Sequence, residues 1–169
     1  MGYINIALHL GNLLDRKNTL NVDFYYGSQW WTLSYECAKE IYDILLKGEY
    51  IEVDISKQKL KYFNKNGKVI VKTDVVTGLD KQRDTVLGAY KIYSKEYDRL
   101  LRGANYTSHV DYWMPFYGGY GLHDADWRSS FGGNIYKYSG SHGCVNIPDA
   151  KAKKIYQKSK VGTKVLIHR

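Results

Sequence analysis

The hydrophobic period of the chain changes from 3.6 to 2 near Gly48–Tyr50, and that change limits what the chain can fold into. Ahead of it, Cys37, Ile41, Ile44 and Leu45 recur at i, i+4, i+7 and i+8, the single apolar face of a helix. The spacing predicts a helix over 34–47, with Ser34 as N-cap, Glu36 near the positive end of the dipole and Gly48 as the stop. Cys37 then reads as a small core residue. Beyond the change, Ile51, Val53 and Ile55 alternate with Glu52 and Asp54, and Leu60 and Tyr62 resume the alternation. A period of two belongs to half-buried strands. Asn66-Gly67 marks a tight hairpin into Val69–Val71 and Val75-Val76. Gly88–Tyr93, Val110–Phe116, Gly121–His123 and Thr163–Ile167 read as further strands. Pro148 opens a short helix with Ala152, Ile155 and Tyr156 on one stripe. Short strands without βαβ alternation point to a mainly β fold, a β-sandwich or distorted barrel with one short late helix. A small α/β N-terminal segment precedes it. The expected division is an appendage over 1–48 and a principal domain over 49–169.

At 169 residues there is room for one proper core and not for two full-sized ones. A chain 44% hydrophobic and 25% charged is neither disordered nor fibrous. No apolar run approaches the roughly 18 to 20 residues of a membrane span. Met1–Asp15 lacks a basic leading region and is interrupted by Asn5, His9, Asn12 and Asp15, so no signal peptide is read in it. Residues 1–48 set Arg16, Lys17, Lys39 and Lys47 against Asp15, Asp23, Glu36, Glu40 and Asp43, a net of −1, so the rest of the chain carries +9 of a total of +8. A basic body favours anionic partners such as nucleic acid, anionic lipid or an anionic wall. No extended Lys/Arg run supports nucleic acid in particular.

Chemistry concentrates in Ser141-His142-Gly143-Cys144-Val145-Asn146, with His123-Asp124 upstream. A cysteine becomes a useful nucleophile when an imidazole can take its proton. If Gly140–Asn146 is partly extended, His142 and Cys144 project to one side. An imidazole held by a neighbouring acceptor has a fixed tautomer, and Asp124 can supply that acceptor to His123. Gly143 permits close approach of a substrate, and the N–H groups of Gly143 and Cys144 can stabilise an oxyanion. Two other readings stay open on these residues alone. Cys144 can be an inert core cysteine between surface histidines. The His-x-Cys pair with one more His can also supply three zinc ligands, although zinc sites show tighter paired spacing and no fourth ligand is evident. With two cysteines and no Cys-x-x-Cys, no disulfide framework is expected.

The string Ser141–Asn146, preceded by His123 across seventeen intervening residues, resembles the signature of the L,D-transpeptidase (YkuD-like) catalytic domain. Val110–Phe116, Gly121–Ala125 and Trp127–Gly133 are similar to members from Gram-positive bacteria, and the resemblance covers about residues 50–169. Where that family carries Thr-Pro-x-Gly, this chain has Thr85-Val86-Leu87-Gly88, which loosens the expected turn. The resemblance implies a cysteine L,D-transpeptidase acting on peptidoglycan stem peptides, forming 3→3 cross-links through a thioester with release of D-Ala. Cys144 is the implied nucleophile and His123 the base. Asp124 orients His123 by side chain or backbone, while Gly143, Ser141 and His142 complete the catalytic loop. Trp113, Tyr112, Trp127, Arg128 and Asn146 are candidates for contact with substrate or support of the loop. The resemblance implies acylation by carbapenem-type β-lactams and a place in the cell envelope. No cofactor, metal or nucleic acid is expected, and a monomer is. Alternatives are an L,D-carboxypeptidase and a non-catalytic wall-binding module. Tyr26–Ser34 also looks like a segment of core-2/I-branching N-acetylglucosaminyltransferases, a piece too small to hold a nucleotide-sugar site.

Overall fold

The computed structural model describes residues 22–26, 29–33, 47–103 and 106–169. The helix expected over 34–47, with Cys37, lies outside the described residues apart from Lys47. In the N-terminal region β1 (Val22–Tyr26) and β2 (Gln29–Leu33) pair antiparallel, with Tyr26 opposite Gln29. Sequence reading had not placed this hairpin.

From residue 50 the period-two pattern becomes strands. Strands β3 (Tyr50–Asp54), β4 (Lys59–Phe63) and β5 (Val69–Asp74) form a meander. The first turn is held by Asp54, whose carboxylate accepts from the Lys57 backbone N–H at 2.9 Å and from Lys57 Nζ at 2.8 Å. In the second, Asn64 Oδ1 accepts from the N–H groups of Asn66 and Lys68, and Asn66-Gly67 makes the reversal. Strand β6 (Gly88–Lys91) and the late strand β11 (Lys164–His168) complete a five-stranded sheet ordered β5-β4-β3-β11-β6. Within it β11 runs parallel to β3 and antiparallel to β6.

A four-stranded sheet holds β7 (Glu96–Gly103), β8 (Tyr106–Tyr117), β9 (Tyr120–Asp124) and β10 (Val145–Ile147). The first three are antiparallel neighbours, and β10 joins β9 in parallel. Ile51, Val53, Leu60, Tyr62, Val165 and Ile167 from one sheet share a core with Met114, Phe116, Leu122, Val145 and Ile147 from the other. The sandwich expectation holds, and the sheets do not close into a barrel. One turn of helix, α1 (Tyr136–Ser139), precedes β10, and α2 (Asp149–Lys158) follows it. Pro148 is the N-cap of α2, and Ala152 and Ile155 are buried, as the apolar stripe predicted. No helix among the described residues is long and apolar enough to cross a membrane.

Strand β7 was not anticipated. Most of its residues are exposed, so it shows no alternation to read. Its Leu101 packs on Val110, Trp113 and Cys144.

Candidate active site

The loop before β10 is tied down residue by residue. Val76 and Asn146 exchange backbone hydrogen bonds at 3.0 and 2.9 Å, joining the segment after β5 to β10. Ser141 donates its N–H to Thr77 O at 2.9 Å and accepts from Leu79 N–H at 3.0 Å. Ser141 Oγ donates to Cys144 O at 2.5 Å and accepts from Gly143 N–H at 3.0 Å. Thr85 Oγ1 donates to Gly143 O at 2.7 Å while accepting from Gly78 N–H at 2.9 Å. Sequence reading noticed Thr85 only for the missing proline after it. The threonine itself anchors the loop from the opposite side.

Gly143 sits at φ +118°, and a Cβ there would lie 2.2 Å from Tyr120 Cε1. Tyr120, which the sequence had not singled out, therefore packs directly on this glycine. Gly143→Ala should cost about 1–3 kcal/mol from the unfavourable φ and the clash. Urea denaturation read alongside Cys144 alkylation would show both stability and thiol reactivity falling.

Two expectations are corrected. The Gly143 N–H is engaged by Ser141 Oγ, so it is not available as an oxyanion donor. The loop is bent rather than extended, with the turn at Gly143, so the i, i+2 rule does not carry over: His142 is exposed while Cys144 is buried.

His123 on β9 lies in register with Asn146 on β10. Its Nδ1 bonds the backbone carbonyl of Asp124 at 2.5 Å, and its Nε2 bonds Asn146 Nδ2 at 3.1 Å. Trp113 stands 5.7 Å from the imidazole, ring centre to ring centre, and Trp127 stands 5.9 Å from it. Burial holds the His123 pKa below the usual imidazole value. Trp113 also packs against Cys144, so one indole borders both candidate catalytic side chains. Its ring lies over Gly121, where a Cβ would come within 2.5 Å of it.

Cys144 Sγ donates to Gly119 O at 3.6 Å. Burial pushes the thiol up to about 11, against the opposing pull of the Gly121 N–H. Among the described residues no hydrogen bond joins Cys144 to His123, and burial favours the uncharged form of each.

Of the two routes expected for Asp124, the structure uses the backbone. Its carboxylate faces away from the imidazole and accepts from the N–H groups of Asp111 at 3.1 Å and Tyr112 at 2.7 Å, tying β9 to β8. Asp124→Asn should therefore lower stability by about 2 kcal/mol, because one amide edge cannot accept both N–H groups. The pH profile of thiol alkylation should stay in place. A displaced profile in a protein of unchanged stability would return the carboxylate to the imidazole.

The candidate groove residues separate. Trp113 is buried at the site and Trp127 is half exposed beside it. Tyr112 is not brought there: its ring packs in the core against Tyr156 and Tyr97. Arg128 donates from Nε to Asn146 Oδ1 at 2.8 Å and from a terminal nitrogen to Ser139 O at 2.9 Å. Among the described residues no group of three or more His, Cys, Asp or Glu side chains is placed to hold a metal ion.

Comparison with known proteins gives one answer. The sequence profile of the L,D-transpeptidase catalytic domain, YkuD, matches residues 48–167. None of the curated proteins compared with the chain matches it. A structure of a mutant Enterococcus faecium L,D-transpeptidase is 27% identical, with a TM-score of 0.69, over 96% of this chain and 80% of that one. The catalytic domain of the E. faecium enzyme acylated by ertapenem is 40% identical, with a TM-score of 0.65, over 72% of this chain and 98% of that one. An L,D-transpeptidase from Mycobacterium tuberculosis shares the fold at 18% identity and a TM-score of 0.63, over 90% of this chain and 67% of that one.

Proposed function

Since this chain belongs to the L,D-transpeptidase catalytic domain family and is an L,D-transpeptidase of the bacterial cell wall, we propose that it joins peptidoglycan stems by 3→3 cross-links through a thioester on Cys144. The observation that carries this reading is the register of β9 and β10, which sets His123 opposite Asn146, two residues beyond the thiol. In the first half-reaction Cys144 Sγ attacks the carbonyl carbon of the third stem residue. Its proton passes to His123 Nε2, the nitrogen left unprotonated when Nδ1 donates to Asp124 O, as Nε2 gives up the Asn146 N–H for the thiol. The Cys144 N–H stabilises the oxyanion. The bond to D-Ala then breaks, and the departing nitrogen takes the proton from His123. In the second half-reaction the side-chain amine of another stem attacks the thioester and gives a proton to His123. The sulfur leaves and is reprotonated.

Trp113 and Trp127, which flank the His123 ring, contact the stem, and Ser141 and His142 shape the loop. Residues 49–169 carry this chemistry, and 1–48 form a separate segment that supplies none of it. The segment's likeness to a glycosyltransferase piece adds no activity to this reading. The enzyme works outside the membrane, where its substrate is, and carbapenems acylate Cys144. Incubation with a purified tetrapeptide stem tests the reading. Release of D-Ala with a cross-linked dimer supports it. Release with a tripeptide alone makes the protein an L,D-carboxypeptidase, and binding without release makes it a wall-binding module.

A further inference from the structure

Arg128 was expected to face substrate, yet its hydrogen bonds run inward, and their direction follows from chemistry. A guanidinium has only donors, so the Asn146 atom 2.8 Å from Arg128 Nε must be the carbonyl oxygen. That fixes the amide: the NH₂ of Asn146 is what faces His123 Nε2 at 3.1 Å. An NH₂ can only donate, so Nε2 must be the acceptor and must lack a proton. At the other side of the ring the Asp124 carbonyl can only accept, so Nδ1 must carry the proton across 2.5 Å. A second guanidinium nitrogen donates to Ser139 O at 2.9 Å and holds Arg128 in place. The chain of donors begins at a group that cannot accept and ends at one that cannot donate, so it admits one tautomer of His123.

We infer that Arg128 is a positioning residue, acting through Asn146 to hold His123 as the neutral Nδ1–H tautomer, with Nε2 unprotonated and accepting from the Asn146 NH₂ in the resting site. This rests on the reading of Cys144 and His123 given above. Protonating Nε2 would set two donors face to face. Asn146 could relieve that only by turning over, which would point its NH₂ at the guanidinium. The clamp therefore opposes the imidazolium, and the Arg128 charge acts in the same sense. The charged and titratable groups about His123 are Asp124 on its own strand, Arg128 on the loop after it and Cys144 on the loop entering β10. Trp113 and Trp127 flank the ring and carry no charge. Without Arg128 the Asn146 amide can reverse, its oxygen can accept from Nε2–H, and both the other tautomer and the imidazolium become favourable.

The test uses the full chain and two readouts. Long-range ¹H–¹⁵N spectra of the imidazole should show the wild-type His123 as the Nδ1–H tautomer at pH 7. Arg128→Ala should populate the Nε2–H form. Iodoacetamide, a neutral probe without a carboxylate, then reports Cys144 alkylation against pH. In Arg128→Ala the acid-side midpoint should rise by about half a unit or more, corresponding to about a threefold rate loss on the acid limb. Arg128→Lys, which keeps the charge but not the paired donors, should restore only part of the shift.

A wild-type His123 found as the Nε2–H tautomer or the imidazolium at pH 7 overturns the inference, whether or not the variants fold. So does an Arg128→Ala protein with unmoved tautomer and midpoint but raised KM for the stem peptide, which would make Arg128 a substrate-carboxylate group. Failure of the underlying reading looks different. There, His123→Ala would leave the wild-type pH dependence of Cys144 alkylation intact while the tautomer result still stood.

Discussion

Replacing Cys144 by alanine should leave a folded protein that forms no covalent adduct with a carbapenem and releases no D-Ala. The reason is the loss of a single atom, the sulfur of the one cysteine among the described residues. The side chain packs on Val110 and Trp113, so removing the sulfur leaves a small void, with a cost of about 1 kcal/mol. The loop itself is held by Ser141, Thr85 and the Val76–Asn146 pair, none of which involves the thiol. Intact mass after incubation with ertapenem is the direct measurement. Wild type should gain one adduct and Cys144→Ala none. An adduct on the mutant would move the nucleophile to Cys37 and sink the assignment.

His123→Ala should slow carbapenem acylation by on the order of 10²–10⁴, the usual worth of a general base. The effect belongs at the upper end, because burial has raised the thiol to about 11. Only about one part in 10⁴ is thiolate at pH 7, so attack depends on a base that removes the proton as the bond forms. The pH dependence follows from the two shifts. His123 is depressed, so it stays a free base into mildly acidic solution, and the wild-type rate should fall only as pH drops through that lowered value. In His123→Ala the rate should instead climb with pH across the alkaline range as thiolate accumulates, giving partial rescue. His142→Ala should keep the wild-type profile, since His142 is exposed. If His142→Ala alone gained the alkaline climb, the two histidines would exchange roles.

The residues that carry a repeating pattern were legible from sequence. Ile51, Val53, Leu60 and Tyr62 alternate because one face of their sheet is in the core, and Ala152 and Ile155 mark the buried side of α2. Strand β7 was illegible because neither face of Glu96–Gly103 is covered enough to demand apolar residues at alternate positions. The hairpin of β1 and β2 had a cue that went unread, the pair Gly27-Ser28 between two aromatic-rich runs. At the site, residue types pointed to a chemistry but not to the direction of bonds. Nothing in His123-Asp124 says whether carboxylate or carbonyl meets the ring. The extended-loop assumption failed at Gly143, where the positive φ redirects the backbone. Arg128 looked like a substrate ligand because its partner, Asn146, is eighteen positions away in sequence and adjacent only after β10 has paired with β9.

The place of β11 in the five-stranded sheet has a consequence for folding order. It lies between β3 and β6, pairing Val165 with Ile51 on one side and with Tyr90 on the other. The β3–β5 meander can form from local contacts, but it keeps an open edge at β3, and β6 has no place in the sheet until β11 arrives. Closing that gap brings together distant parts of the chain and must meet the loop entropy first, the circumstance that slows folding in high-contact-order domains. The loop that holds Cys144 is made of residues between those distant parts, so it is expected to settle only after the sheet is sealed. A half-folded chain would then carry Cys144 without the proposed base, His123, set beside it.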